Sequence, residues 1–142
     1  MDINTGTVKK FPKGGHEGSV RNFAVDPLSE LIATIGCDGT LIISSIKDEA
    51  ILAKLHKTAK PTQLGSAQRM ELAWHESGEY LYVSGDCSLT VICRRELTVR
   101  KHAKSVIHEK DITHVCMLTN LLLATVSLDH VIKVWQPKDA FL

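Results

Sequence analysis

The grouping of the apolar residues constrains this chain more than any other feature. Between Val20 and Trp135 they fall into eleven short runs, rich in β-branched residues and bounded by Gly, Pro, Asp or Ser. No run sustains a helical period, so each is read as a strand: 20–26, 31–36, 40–46, 50–56, 69–75, 80–84, 89–94, 97–101, 112–118, 121–127 and 131–135. Asp26-Pro27, Asp38-Gly39 and Ser77-Gly78 mark tight turns, because Gly and Asp tolerate unusual backbone angles and Pro presets one. Strands joined this closely must be antiparallel, since a parallel return needs a crossover of about a dozen residues. The expected fold class is therefore all-β.

The order of strands and turns repeats. Residues 15–45, 68–94 and 108–136 each read as strand, turn, apolar strand, Asp-containing tight turn and strand. Their turn aspartates, Asp38, Asp86 and Asp129, are 48 and 43 residues apart. Periods of roughly 40–50 residues belong to propeller blades, four-stranded sheets set around an axis. In the last segment His108 opens the repeat, Thr125 lies on the second strand, Asp129 follows four positions later, and Trp135 six beyond that. The first segment has His16, Thr34 and Asp38, with Ser44 at the tryptophan position. The middle one keeps only Asp86; counting from it puts Tyr82 at the threonine position and Ile92 at the tryptophan position.

These residues resemble WD40 repeats, in which His, Ser/Thr, Asp and Trp commonly form a hydrogen-bond relay. Such a set makes physical sense, because a buried carboxylate, an imidazole and an indole N–H each need a partner. The resemblance implies WD40-type β-propeller blades, about three four-stranded antiparallel ones forming an incomplete propeller. Residues 1–14 would hold the end strand of a preceding blade, with Thr7 to Phe11 strand-like. Blades would follow at 15–57, 58–104 (degenerate) and 105–142 (truncated). Three blades are fewer than the roughly four to eight that close a propeller, and both ends look cut, so a fragment or truncated gene product is expected, with completion by another chain as the alternative.

A narrower resemblance covers residues 9–135. KKFPKGGHEGSVRNFAVDPLSELIATIGCDGTLIISS, then MELAWHESGEYLYV, then LTVICRRE are similar in order and spacing to the N-terminal propeller of the WD repeat and HMG-box DNA-binding proteins. This is the replisome-adaptor family of chromosome transmission fidelity factor four. The resemblance implies a nuclear scaffold that links the replicative helicase to DNA polymerase α-primase. The 142 residues do not span that family's second, trimer-forming propeller or its HMG box, so no partner-binding residue is carried over. A generic WD40 adaptor in ubiquitin ligation, trafficking or signalling is the alternative, with a cytoplasmic location as the alternative to the nucleus.

Composition excludes several other classes. The 17 Lys plus Arg nearly cancel the 16 Asp plus Glu, leaving a net charge of +1 and no strong excess to draw nucleic acid. Arg94, Arg95, Arg100 and Lys101, continued by Lys104, could make a weak DNA contact. The bland reading, a solvated outer strand, is favoured because no aromatic residues are interleaved for base stacking. Lys9, Lys10 and Lys13 are read as blunting a surface strand. Cys37, Cys87, Cys93 and Cys116 contain no CxxC pair and are expected to be reduced and mostly buried. The other histidines, among them His75, His102, His114 and His130, form no metal pair, and Trp74 is expected in the core. The first fifteen residues lack a signal-peptide apolar run, and no apolar stretch approaches the ~18 residues of a membrane helix. No cofactor or small-molecule substrate is expected, and partners are expected to be proteins that bind through the loops. His, Asp and Thr also build hydrolase triads. Thr34 and Thr125 fall inside apolar strands and no GxSxG elbow exists, so no enzymatic activity is expected.

Overall fold

The computed structural model describes residue 6 and residues 15–56, 70–85, 87–102, 107–119 and 121–136, with backbone alone for residues 56 and 98–102. Every regular element among them is a strand. Strands β1 (Val20–Val25), β2 (Leu31–Gly36), β3 (Thr40–Ser45) and β4 (Ala50–His56) form sheet one in sequence order, each antiparallel to the next. Strands β5 (Leu72–Trp74), β6 (Tyr80–Gly85), β7 (Ser88–Cys93) and β8 (Thr98–His102) form sheet two in the same way. Strands β9 (Ile112–Leu118), β10 (Leu122–Ser127) and β11 (Ile132–Trp135) form sheet three. The first two sheets match the expected four-stranded blades, and the third has three strands among the described residues. The expected strand at 69–75 shortens to Leu72–Trp74. The proposed end strand at Thr7 to Phe11, with Lys9, Lys10 and Lys13, lies outside the described residues.

The sheets correspond residue for residue through their backbone hydrogen bonds. Asp26 N donates to Leu31 O as His75 N donates to Tyr80 O, and Ile46 N donates to Glu30 O as Arg94 N donates to Glu79 O. Gly39 N donates to Gly36 O as His130 N donates to Ser127 O. Left-handed backbone recurs at the matching turn positions. Ser29 (φ 55°), Gly78 (φ 69°) and Leu121 (φ 63°) close the first hairpin of each sheet. Gly39 (φ 74°) and His130 (φ 68°) sit in the second, and Glu49 (φ 53°) and Leu97 (φ 50°) in the third. A non-glycine residue adopts this conformation at a cost of about 1–2 kcal/mol, so its recurrence at matching positions marks turns of shared design. A register shift also recurs where β4 and β8 join their sheets, at Ile43/Ser44 and at Val91/Ile92, which are equivalent positions.

Period-two alternation decides what each sheet buries. Leu31, Ala33 and Ile35 of β2, with Leu41 and Ile43 of β3, meet Leu72, Trp74, Leu81, Val83 and Ile92 of sheet two. The other face of sheet two, with Ala73, Tyr82, Leu89 and Val91, meets Ile112, Val115 and Leu123 of sheet three. Sheet two is covered on both sides, so β6 and β7 read as near-continuous apolar runs in place of an alternation. Trp74 is in this core, and its indole N–H donates to Ala24 O of sheet one at 3.2 Å. The cysteines are free, but only Cys93 is buried; Cys37 is exposed and Cys87 and Cys116 are half-buried. Cys37 follows Gly36 at the end of β2, in a turn that meets solvent, and this corrects the expectation that the thiols are mostly buried.

Candidate functional site

In sheet three the structure brings His108, Thr125, Asp129 and Trp135 together. His108 precedes β9, Thr125 lies in mid-β10, Asp129 sits in the β10–β11 turn and Trp135 ends β11. His108 Nδ1 is 2.8 Å from Asp129 Oδ2, His108 Nε2 is 2.8 Å from Thr125 Oγ1, and Trp135 Nε1 donates to Thr125 Oγ1 at 3.0 Å. A carboxylate only accepts and an indole only donates, so Nδ1–H donates to Asp129 and Trp135 donates to Thr125; with a neutral imidazole the Thr125 hydroxyl in turn donates to Nε2. Asp129 also accepts from Glu109 N and Val131 N. Burial alone would raise the Asp129 pKa, but the hydrogen bonds from His108 and these two amides outweigh it and hold the carboxyl at about 2.

Sheet one carries a looser version. His16 Nε2 is 2.8 Å from Thr34 Oγ1, but His16 Nδ1 stands 3.5 Å from Asp38 Oδ1 and has no hydrogen-bond partner. Asp38 accepts instead from Glu17 N and Thr40 N. Ser44 occupies the tryptophan position, and the Thr34 hydroxyl is directed at Ile42 O. Burial pushes the Asp38 carboxyl up, while the Thr40 and Glu17 hydrogen bonds and the nearby His16 bring it down to about 2. Gly36 permits this approach: a Cβ there would lie 2.5 Å from both His16 Nδ1 and Asp38 Oδ1.

Asp38 and Asp129 thus hold protons less readily in the folded chain than their ordinary value of 3.8 implies. Their contribution to stability is complete above that value and is lost as the pH falls toward about 2. Acid unfolding followed by tryptophan fluorescence is expected to show this loss, and the Asp38→Asn, Asp129→Asn double variant is expected to have a flatter acid limb. An unchanged limb would show that these carboxylates are not linked to folding.

Sheet two has no such relay among the described residues. Its β6–β7 hairpin closes on the Gly85↔Ser88 pair, whereas the matching hairpins close on Ile35↔Leu41 and Val126↔Ile132. The hairpin is shorter by one residue, so counting four back from the turn aspartate slips onto the wrong face. The residue equivalent to Thr34 and Thr125 is Val83, not Tyr82. Tyr82 points to the opposite face, into the core with sheet three, where burial and the neighbouring Tyr80 raise its hydroxyl pKa to about 12. Ile92 does occupy the tryptophan position, opposite Leu81 as Trp135 is opposite Leu123. Asp86 lies outside the described residues.

Arg94 bridges sheets one and two. Its Nη1 donates to Asp26 Oδ2 at 2.6 Å and its Nη2 pairs with Glu30. Asp26 is buried and also accepts from Glu30 N at 2.8 Å and Leu31 N at 2.7 Å. Burial would raise its pKa, but the Leu31 amide and Arg94 bring it below the usual carboxylate value. The DNA-contact reading of Arg94 is therefore corrected, because its guanidinium is committed to two carboxylates of the neighbouring sheet. Arg95 is exposed, 3.7 Å from Glu79. The side chains of Arg100 and Lys101 lie outside the described residues, as does Lys104. A second cross-sheet tie runs along the inner strands, where Glu71 accepts from Asn22 Nδ2 at 3.1 Å and lies 3.3 Å from His114 Nδ1. Sequence spacing gave no signal for either tie, since Arg94 and Asp26 are 68 residues apart. Among the described residues no three His, Cys, Asp or Glu side chains converge as a metal site requires.

Three antiparallel sheets stacked face to face, with a relay pinning strand to turn, define a run of β-propeller blades. The family model described as WD domain, G-beta repeat matches residues 6–43. A search of curated proteins finds no match. Among solved structures the chain is similar to "Structure of U3-55K" (TM-score 0.73, 19% identity) and to "Crystal structure of RRP9 WD40 repeats" (TM-score 0.73, 20% identity). Each likeness covers 89% of this chain and 38% of the other, so the chain spans well under half of those structures. At these identities the likeness shows the fold. Residues 6–43 match the WD-repeat model, and the described sheets share the fold of WD40 propeller blades.

Proposed function

We propose that this chain is a non-catalytic protein-interaction scaffold, with its loops as the contact surface and the stacked sheets as a rigid support. The observation that carries this reading is the state of Thr125, the group a hydrolase triad would need as nucleophile. It is fully buried, and its oxygen is engaged by both His108 and Trp135. A nucleophile must reach substrate and be faced by a preorganised oxyanion site; this hydroxyl does neither, and its partners serve to join a loop, a strand and a turn.

The narrower setting is a nuclear replisome or chromatin adaptor. It rests on the resemblance of residues 9–135 to the replisome-adaptor propeller, and the generic WD40 adaptor of another complex is its alternative. Direct nucleic-acid contact has less support, because Arg94 is occupied by Asp26 and Glu30. Proximity labelling from the tagged chain in cells is the test. Recovery of replicative helicase or polymerase α-primase components is the expected result, and a partner set free of replication proteins would remove the replisome setting. A duplex-DNA mobility shift at low salt, lost in Arg100→Glu, Lys101→Glu, would reinstate a nucleic-acid role.

A further inference from the structure

Sheets one and three place a histidine, a threonine and an aspartate in the same register, yet the protons between them are arranged differently. In sheet three the Trp135 indole donates to Thr125 Oγ1, the Thr125 hydroxyl donates to neutral His108, and the ring proton sits on Nδ1, 2.8 Å from Asp129. Sheet one has Ser44 where that tryptophan stands, and the Thr34 hydroxyl donates to Ile42 O. Thr34 Oγ1 is then the acceptor for His16 Nε2–H at 2.8 Å, and a neutral imidazole with its proton on Nε2 has a bare lone pair on Nδ1. That lone pair faces the Asp38 carboxylate across 3.5 Å, without a hydrogen-bond partner, on a side chain only 6% exposed. Two buried acceptors held face to face repel, and one added proton turns the repulsion into a charge-assisted hydrogen bond. Gly36 leaves the approach between them open, since a Cβ there would lie 2.5 Å from both atoms. The matching residue of sheet three, Ser127, donates to Lys110 O and accepts from Asp129 N, a tie that Gly36 cannot make.

We propose that His16 and Asp38 form a proton-operated latch: the neutral imidazole leaves the contact open, and a proton taken up at Nδ1 closes it, joining residues 15–17 to the turn between β2 and β3. Histidine is the side chain whose ordinary charge change falls between about pH 5 and 8. Asp38, held at about 2, is ionised throughout that window and ready to accept. Among the described residues, the other charged or titratable groups at this segment are engaged elsewhere or face solvent. Glu17 is exposed and gives its amide to Asp38, and Lys54 of β4 donates to Gly15 O at 3.2 Å. The exposed Cys37 thiol approaches Gly18, where a Cβ would lie 2.4 Å from its sulfur. The closed contact exists only in the proton-bound form, so its contribution is present in acid and is lost as the pH rises. This is opposite in sign to the loss that protonation of Asp38 itself causes toward about pH 2. The inference is independent of the scaffold and replisome readings.

Nitrogen-15 NMR of the imidazole rings of the full chain, from about pH 8 down to about pH 5, tests it. At the upper end His16 is expected to carry its proton on Nε2 and His108 on Nδ1. On acidification His16 is expected to gain its second ring N–H. The Glu17 and Thr40 amides, which donate to Asp38, should then become several-fold more protected from hydrogen exchange, relative to their intrinsic rates. The Glu109 and Val131 amides, their counterparts on Asp129, are expected to stay constant. Ser44→Trp, which supplies an indole donor at the matching position, is expected to move the His16 proton to Nδ1 at the upper pH and to remove the response. A neutral His16 with its proton on Nδ1 in the unaltered chain, or protection of Glu17 and Thr40 that does not change with pH, would overturn the proposal; neither reading depends on a variant folding. A folded Ser44→Trp chain that keeps the His16 proton on Nε2 would overturn it as well.

Discussion

His108→Ala is expected to lower the unfolding free energy by about 3 kcal/mol, the largest loss of any single change outside the apolar core. The imidazole is buried and holds two partners at 2.8 Å, so its removal leaves the Thr125 oxygen with the Trp135 donor alone and takes one donor from Asp129. A buried polar group left unpaired costs about 1–3 kcal/mol, and the vacated ring volume adds to it. At a domain of this size that corresponds to a fall of roughly 10 °C in Tm, read by thermal unfolding. His16→Ala is expected to cost less, because His16 Nδ1 has no hydrogen-bond partner to lose and Asp38 keeps its two amide donors. Equal losses at the two histidines would show that the relay in sheet three is no tighter than its counterpart.

Arg94→Met is expected to cost about 2–3 kcal/mol by urea denaturation. Breaking one partner from a buried pair typically costs about 3–5 kcal/mol, since the remaining charge is uncompensated. The lower figure applies because Asp26 retains the Glu30 and Leu31 amides and Arg94 is itself only half-buried. Glu30→Gln is expected to change stability by under about 0.5 kcal/mol, as the exposed half of the same cluster. The Asp26→Asn, Arg94→Met double variant should recover part of the loss by removing the stranded charge. A loss no greater than that of Glu30→Gln would show that the junction between sheets one and two is held by apolar packing alone.

Much of the fold was legible because strand periodicity and turn chemistry are local. The β-branched runs and the Asp-Gly and Ser-Gly turns placed all eleven strands to within a few residues, and the spacing from His108 to Trp135 marked a relay whose members do meet. The misreadings share one physical origin, which is that neither hairpin length nor cross-sheet contact is encoded in spacing. A hairpin shorter by one residue flips every side chain to the other face, and this moved the threonine position from Val83 to Tyr82. Arg94 looked like part of a basic run because its partners, Asp26 and Glu30, come from another sheet. Gly36 looked like an ordinary strand end, and only the approach of His16 and Asp38 shows why a side chain is excluded there.

Four residues from a loop, two strands and a turn act as one structural unit in sheet three. A double-mutant cycle between His108→Ala and Trp135→Phe tests this, because both side chains hydrogen-bond to Thr125 Oγ1. The expected result is a coupling of about 1 kcal/mol or more, the second change costing less once the first has been made. Losses that add within about 0.3 kcal/mol would show two independent hydrogen bonds and no single relay.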